Sequence, residues 1–204
     1  MQTSTTRSRD FLSWLMKQAR NRDDKKMGGE ARKSLAELRR GARDRLHDSY
    51  DIGRVAPHIG EFLSEGATAC DADEWLSVIG ALFALNYEDV PQINNISLGG
   101  ALRRLRDTGN GSDSLEARFM ALLNSRGENL PGHLRQLIGL LASARKGLGL
   151  DWYALLQDVG RWDQSNRTIQ KSWIRDYYRV SAHSSVEHTD NAAQDTEGET
   201  NDEN

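Results

Sequence analysis

The chain has 204 residues, 37% hydrophobic and 28% charged, with a formal net charge of −3, which is length enough to bury a core in one domain or two small ones. No stretch approaches the ~18 consecutive apolar residues of a membrane span, and the opening residues carry no apolar leader, so the chain is expected in the cytoplasm, where the sequons at Asn95, Asn110 and Asn166 carry no meaning. A single cysteine, Cys70, excludes an internal disulfide and a paired-thiol metal or redox site.

Charge is distributed in blocks. Residues 181–204 hold seven acids and no Lys or Arg, leaving 27 basic against 23 acidic residues over positions 1–180. Residues 1–54 carry 14 basic and 8 acidic side chains, residues 55–100 none and 7, and residues 101–149 eight and four. Such blocks are expected of a chain with one face for a polyanion and another for a protein neighbour, and also of an ordinary solvated surface.

In chain order, residues 1–9 read as a disordered lead. A helix capped by Asp10 follows, with Phe11, Trp14, Leu15 and Ala19 on one face. A longer helix carries Ala31, Leu35, Leu38, Ala42 and Leu46; Arg32, Arg39 and Arg43 border that stripe, while Lys33 and Arg40 point nearly opposite the core. A short helix over 55–63 and a polar linker precede a helix opened by Asp73 and Glu74, whose Trp75, Val78, Ile79, Leu82 and Phe83 form the most apolar face in the chain.

After an acidic connector containing Pro91, Ser97 caps a helix with Leu98, Ala101, Leu102 and Leu105 inward and Arg103, Arg104 and Arg106 outward. Gly109-Asn110-Gly111 breaks the chain. Asp113 and Glu116 form a capping box for a helix bearing Leu115, Phe119, Leu122 and Leu123, at the edge of which Arg118 can lay its stem on the core and hold its guanidinium over a phosphate.

From Leu130 to Tyr178 three apolar stripes follow one another, and this stretch is expected to organise the fold. Leu134, Leu137, Ile138 and Leu141 make the first stripe, with Pro131 at the helix start. Arg135 and Lys146 lie on a different face, within about 20° of each other at roughly 100° per residue. Asp151 caps the second stripe of Trp152, Leu155, Leu156 and Val159; Trp162 and the third stripe of Ile169, Trp173 and Tyr177 complete it. The fold class is therefore all-α, a helical bundle in two packed subdomains, residues 10–96 and 97–180, ahead of a disordered acidic tail over 181–204.

Enzymatic chemistry finds no support. The histidines at 47, 58, 133, 183 and 188 sit in no metal-ligand spacing. Asp71, Asp73 and Glu74 fit helix capping, the Gly109-x-Gly111 pair lacks a preceding strand and a following Lys-Ser/Thr, and no nucleophile elbow occurs. No cofactor, metal or small-molecule substrate is expected. Arginine far outnumbers lysine, and its planar fork of donors suits a nucleic-acid backbone. The tryptophans fall on apolar stripes, so backbone electrostatics rather than base readout is the expectation.

The ordered set Leu38-Arg39-Arg40, Ile96-Ser97-Leu98-Gly99 with Ala101-Leu102, Glu116 and Arg118-Phe119 with Leu122-Leu123, Leu134-Arg135 with Leu137-Ile138, Asp151-Trp152, Trp162, and Trp173 with Asp176-Tyr177 resembles the CasB family over about residues 11–179. CasB is the small subunit of the type I-E CRISPR Cascade surveillance complex. The resemblance implies a non-catalytic, all-helical subunit present in two copies, head to tail along the crRNA-bound backbone. It implies contact with the CasC backbone subunits and the large CasA subunit, and a hold on the R-loop of target DNA through the displaced single strand.

By the same resemblance Arg40, Arg103, Arg118 and Arg135 lie in segments where the family places strand-contacting basic residues, and Arg167 and Lys171 are further carry-overs. The full candidate set is Arg32, Arg39, Arg40, Arg43, Arg103, Arg104, Arg118, Arg135, Lys146, Arg167 and Lys171. The chain departs from the family in the absence of Lys and Arg over 55–100, in a longer Trp162 to Asp176 spacing and in the acidic tail. A competing reading is a structural adaptor whose basic blocks meet acidic protein surfaces.

Overall fold

The structure, a computed structural model, describes residues 4–41, 52–63, 71–110, 113–144 and 147–179. Among them nine α-helices form and no strand: α1 (Ser4–Asn21), α2 (Gly28–Gly41), α3 (Ile52–Ile59), α4 (Asp71–Asn86), α5 (Leu98–Leu105), α6 (Asp113–Asn124), α7 (Leu130–Ser143), α8 (Trp152–Val159) and α9 (Thr168–Tyr178). The all-α class that the 3.6-residue period required is what forms. Ala42 to Leu46 and the acidic tail lie outside the described residues.

The first helix begins at Ser4, six residues ahead of the expected Asp10 cap. Its first turns are docked rather than loose: the Arg7 guanidinium donates to the Leu63 carbonyl at 3.1 Å, and Ser8 is buried. Asp10 is thus an exposed residue inside the helix.

The centre of the molecule is α4, not the stretch from Leu130 to Tyr178. Every residue from Trp75 to Ala84 is buried, and α4 packs on α1, α2, α3, α7 and α8. A helix that is apolar on every side must be enclosed on every side. The Leu130–Tyr178 helices instead each bury one stripe and leave the other face wet. One apolar cluster runs from Phe11 in α1 to Tyr177 in α9. The tryptophans belong to it: Trp75, Trp152, Trp162 and Trp173 are buried, and Trp14 packs half-buried against Phe11, Phe62 and His58.

The connector between α4 and α5, where the subdomain boundary at 96/97 is expected, is an ordered strap laid beside residues 148–152. Ile93 N–H donates to the Leu150 carbonyl at 3.0 Å, Leu150 N–H to Pro91 at 3.2 Å and Asp151 N–H to Ile96 at 2.8 Å, while the Trp152 indole donates to the Val90 carbonyl at 3.1 Å. Gly149 permits the approach, since a Cβ there would collide with the Pro91 carbonyl. On either side of the strap, α1 and α4 pack on α8, and α4 also packs on α7.

Asp151 fastens the strap to α8. Its carboxylate caps the helix, accepting from the Tyr153 and Ala154 N–H groups at 3.0 and 3.1 Å, and takes Gln92 Nε2 at 3.0 Å and Asn95 N–H at 2.9 Å from the strap. Burial pushes this carboxyl up, but the bonds from Gln92, Asn95, Ala154 and Tyr153 outweigh it and hold the group below the usual carboxylate range.

Candidate nucleic-acid interface

Helix α9 is positioned first by α5. Ser97 caps α5, accepting from Gly100 N–H at 3.1 Å, and donates its own hydroxyl hydrogen bond to the Asp176 carboxylate of α9 at 2.6 Å. The carbonyls at the C-terminal end of α9 then receive guanidinium donors: Arg103 Nη1 reaches the Arg179 carbonyl at 3.3 Å, and Arg106 Nη1 the Tyr177 carbonyl at 3.1 Å. Cations at a helix C-terminus complement both its dipole and its unpaired carbonyls. Arg106 also lies 4.9 Å from the centroid of the Tyr177 ring and pairs with Asp107 at 3.1 Å.

These contacts correct the expectation that Arg103 and Arg106 point outward. The face of α5 that carries them is the face along which α9 packs, so both are drawn onto its carbonyls. The Arg103 Nε is buried with no acceptor among the described residues. Arg104, about 100° further round the helix, is half-buried on another side of α5.

Helix α6 approaches α9 from a second side. Leu115, Phe119, Leu122 and Leu123 are buried, and Arg118 is exposed at the border of that stripe. Phe119 stacks at a tilt on Tyr177 with centroids 4.6 Å apart. Glu116 accepts the Tyr178 hydroxyl at 2.5 Å because the last turn of α9 lies over the first turn of α6; the side chain of Asp113, its expected capping-box partner, lies outside the described residues. At the opposite end the Arg167 guanidinium donates to the Leu123 carbonyl. The two helices therefore run antiparallel, bridged at both ends by side chains.

What α9 leaves to solvent is a row of cations. Arg167, Lys171, Arg175 and Arg179 recur every fourth residue and all four are exposed; Lys171 and Arg175 lie within α9 about 6 Å apart, while Arg167 and Arg179 flank the helix as its N-cap and C-cap. Arg167 is tied to α6, but no ion pair holds Lys171, Arg175 or Arg179 among the described residues. Arg175 and Arg179 are absent from the sequence-based set, although the four-residue interval is visible in the sequence. The neighbouring carboxylates are occupied within the fold: Asp176 by Ser97, Glu116 by Tyr178 and Asp107 by Arg106.

The other candidate residues fall elsewhere. On α2, Arg32 and Arg40 are exposed. Arg39 turns inward: its Nε donates to the Ala84 carbonyl at 2.5 Å, its Nη2 lies 3.6 Å from Glu88, and its guanidinium sits 5.6 Å from the Tyr87 ring centroid. Arg22 joins the same group through Glu88 and the Tyr87 hydroxyl, so Arg39 closes the C-terminal end of α4. Arg135 is half-buried on α7 and engaged within the chain. Arg43 and Lys146 lie outside the described residues. Helix α2 packs on α1, α3 and α4, whereas α5 packs on α7 and α9; the candidates thus form one group about α9 and another on α2, with α4 and α7 between them.

Beneath the row, Asp158 of α8 accepts the Trp173 indole N–H at 2.8 Å. Burial pushes the Asp158 carboxyl up, and the Trp173 bond and nearby Arg161 only partly offset it. No group of three His, Cys, Asp or Glu suited to a metal ion occurs among the described residues. No described helix is long and apolar enough to cross a membrane.

Fold and site together define an all-helical protein with its tryptophans packed on the core and guanidinium and ammonium groups along the outer side of α9. Residues 34–178 match the family model of CRISPR-associated protein Cse2, and the chain belongs to that family, the CasB family that its sequence resembles. A CRISPR-associated protein Cse2 of Thermus thermophilus is 32% identical over 130 residues, 63% of this chain and 70% of the relative. The crystal structure of a Cse2-family protein from the same organism superposes with a TM-score of 0.65 at 30% identity, covering 84% of this chain and 97% of that one. A chain of a CRISPR RNA-guided surveillance complex shares the fold at 18% identity and a TM-score of 0.61, covering 85% of this chain and 91% of its own.

Proposed function

We propose that the protein is the non-catalytic small subunit of a type I-E Cascade complex and holds the R-loop open by binding the displaced DNA strand. Two copies line the crRNA-bound backbone beside the CasC and CasA subunits. The observation that carries the reading is the exposed set Lys171, Arg175 and Arg179, which no ion pair holds among the described residues, while Asp176, Glu116 and Asp107 are bonded elsewhere. Family membership supports it. Arg118 on α6 adds to this group, Arg32 and Arg40 form a second exposed cationic group on α2, and Arg39, Arg103 and Arg167 brace helix ends.

Mechanistically, exchanging a DNA duplex for an RNA–DNA hybrid is nearly balanced in free energy. Neutralising phosphates on the ejected strand biases that exchange without making or breaking a bond. With about five phosphates engaged, a slope near −0.7 per contact gives roughly a hundredfold loss of affinity over a fourfold rise in salt.

Charge reversal separates strand binding from the adaptor reading. The combined variant Arg40→Glu, Arg118→Glu, Lys171→Glu and Arg175→Glu is expected to assemble normally while R-loop lifetime falls and the salt slope flattens. Loss of assembly with R-loop stability intact in the remaining complex favours the adaptor. Arg39→Gln serves as the contrast: it loosens the end of α4 and lowers thermal stability while leaving the salt slope unchanged.

A further inference from the structure

The outer side of α9 carries more than charge. Tyr178 is 46% exposed and Ile174, one turn earlier, 37% exposed; Met120 of α6 is 40% exposed. Glu116 and Met120 are one turn apart on α6, as Tyr178 and Ile174 are on α9, and the Tyr178–Glu116 bond joins the two pairs. Lys171 and Arg175 fall on the same side of α9 as this apolar patch, each one turn or less from Ile174 or Tyr178.

The Tyr178 ring is held in place at two points. It stands edge-on to Tyr177, centroids 5.0 Å apart at 85°, and its hydroxyl is fixed on Glu116. Tyr177 is itself held between Phe119 and Arg106. A ring so fixed and still half exposed is held in place before a ligand arrives, so binding to it adds little entropic cost. An exposed ring with Lys171 and Arg175 on the same side of α9 complements a ligand that is planar and apolar in one part and anionic in another.

We propose that Tyr178, backed by Ile174 and Met120, is a stacking platform for a nucleobase of the single strand whose phosphates lie along Lys171 and Arg175. This rests on the strand-binding reading and goes beyond it: the strand is gripped by its bases as well as its backbone, without regard to sequence, because every base offers a π face.

The test uses the full chain and single-stranded oligodeoxythymidylate at several salt concentrations, with an abasic oligonucleotide of the same length as comparison. Tyr178→Ala is expected to weaken binding of the base-bearing strand about tenfold while leaving the salt slope and the binding of the abasic strand unchanged. Tyr178→Phe, which keeps the ring, retains most of the affinity, and a 2-aminopurine base in the strand is quenched by the wild type but not by Tyr178→Ala. If the wild type binds with a clear salt slope, yet Tyr178→Ala binds both strands as well as it does, the platform is wrong and the strand-binding reading stands. An absence of salt-dependent binding by the wild type overturns both. Unchanged DNA binding with altered self-association of Tyr178→Ala makes the patch a contact with a second copy and likewise overturns the platform.

Discussion

Gly99 of α5 lies directly against the backbone of Trp173 in α9: a Cβ at this glycine would collide with the Trp173 carbonyl oxygen. The contact sets how closely the two helices approach, and through it the distance over which Arg103 and Arg106 reach the end of α9. Backbone atoms on one side leave no flexible side chain to yield. Gly99→Ala is therefore expected to destabilise the fold by about 1–3 kcal/mol, the usual range for overpacking, read as a lower denaturation midpoint in urea. A midpoint equal to that of the wild type would show that α5 and α9 separate without cost.

Asp151 serves two segments at once, capping α8 and holding the strap through Gln92 and Asn95. Asp151→Ala is expected to cost about 1–2 kcal/mol at neutral pH for the lost cap, with further loss from the freed strap. Because the folded carboxyl titrates below its ordinary value of 3.8, its stabilising contribution is complete above that value and disappears as pH falls through the lower folded value. Thermal melts of both proteins should thus converge in acid and diverge towards neutrality; a constant gap across the range would assign the loss to packing alone.

Asp158 has the opposite sign. Burial raises its folded pKa above the ordinary 3.8, so the folded state holds the proton more tightly and stability declines as pH rises from that value through the raised one. Asp158→Asn keeps an acceptor for the Trp173 indole and removes the buried charge. The variant should melt higher than the wild type at pH 7, with the difference shrinking towards pH 3. A lower melting temperature at pH 7 would mean that the charged bonds to Trp173 and Arg161 outweigh the burial of the charge.

Much of this architecture is legible in the order of residues. Ser97 and Asp151 cap helices as their types and places require, and the apolar stripes of α6, α7, α8 and α9 are the buried faces. Local signals also mislead in identifiable ways. Glu116 has a long-range role that no local signal shows, accepting the hydroxyl of Tyr178, 62 residues away in sequence. Asp10 has the chemistry of a cap, yet docking of Arg7 on Leu63 carries the helix past it.

The sequence by itself determined that the chain is all-helical, that its tryptophans are core residues and that its surface is rich in guanidinium groups, because helix period, capping chemistry and charge are properties of neighbouring residues. Only the tertiary structure decided which of those cations are tied down within the fold. Arg39, Arg103, Arg106 and Arg167 look from sequence like Arg40, Arg118 and Arg175, but the carbonyls that claim them, those of Ala84, Arg179, Tyr177 and Leu123, are brought within reach by packing across dozens of residues. A guanidinium goes to an unpaired helix-end carbonyl when one lies within the length of its side chain and to water otherwise, and that distance is set by how the helices stack.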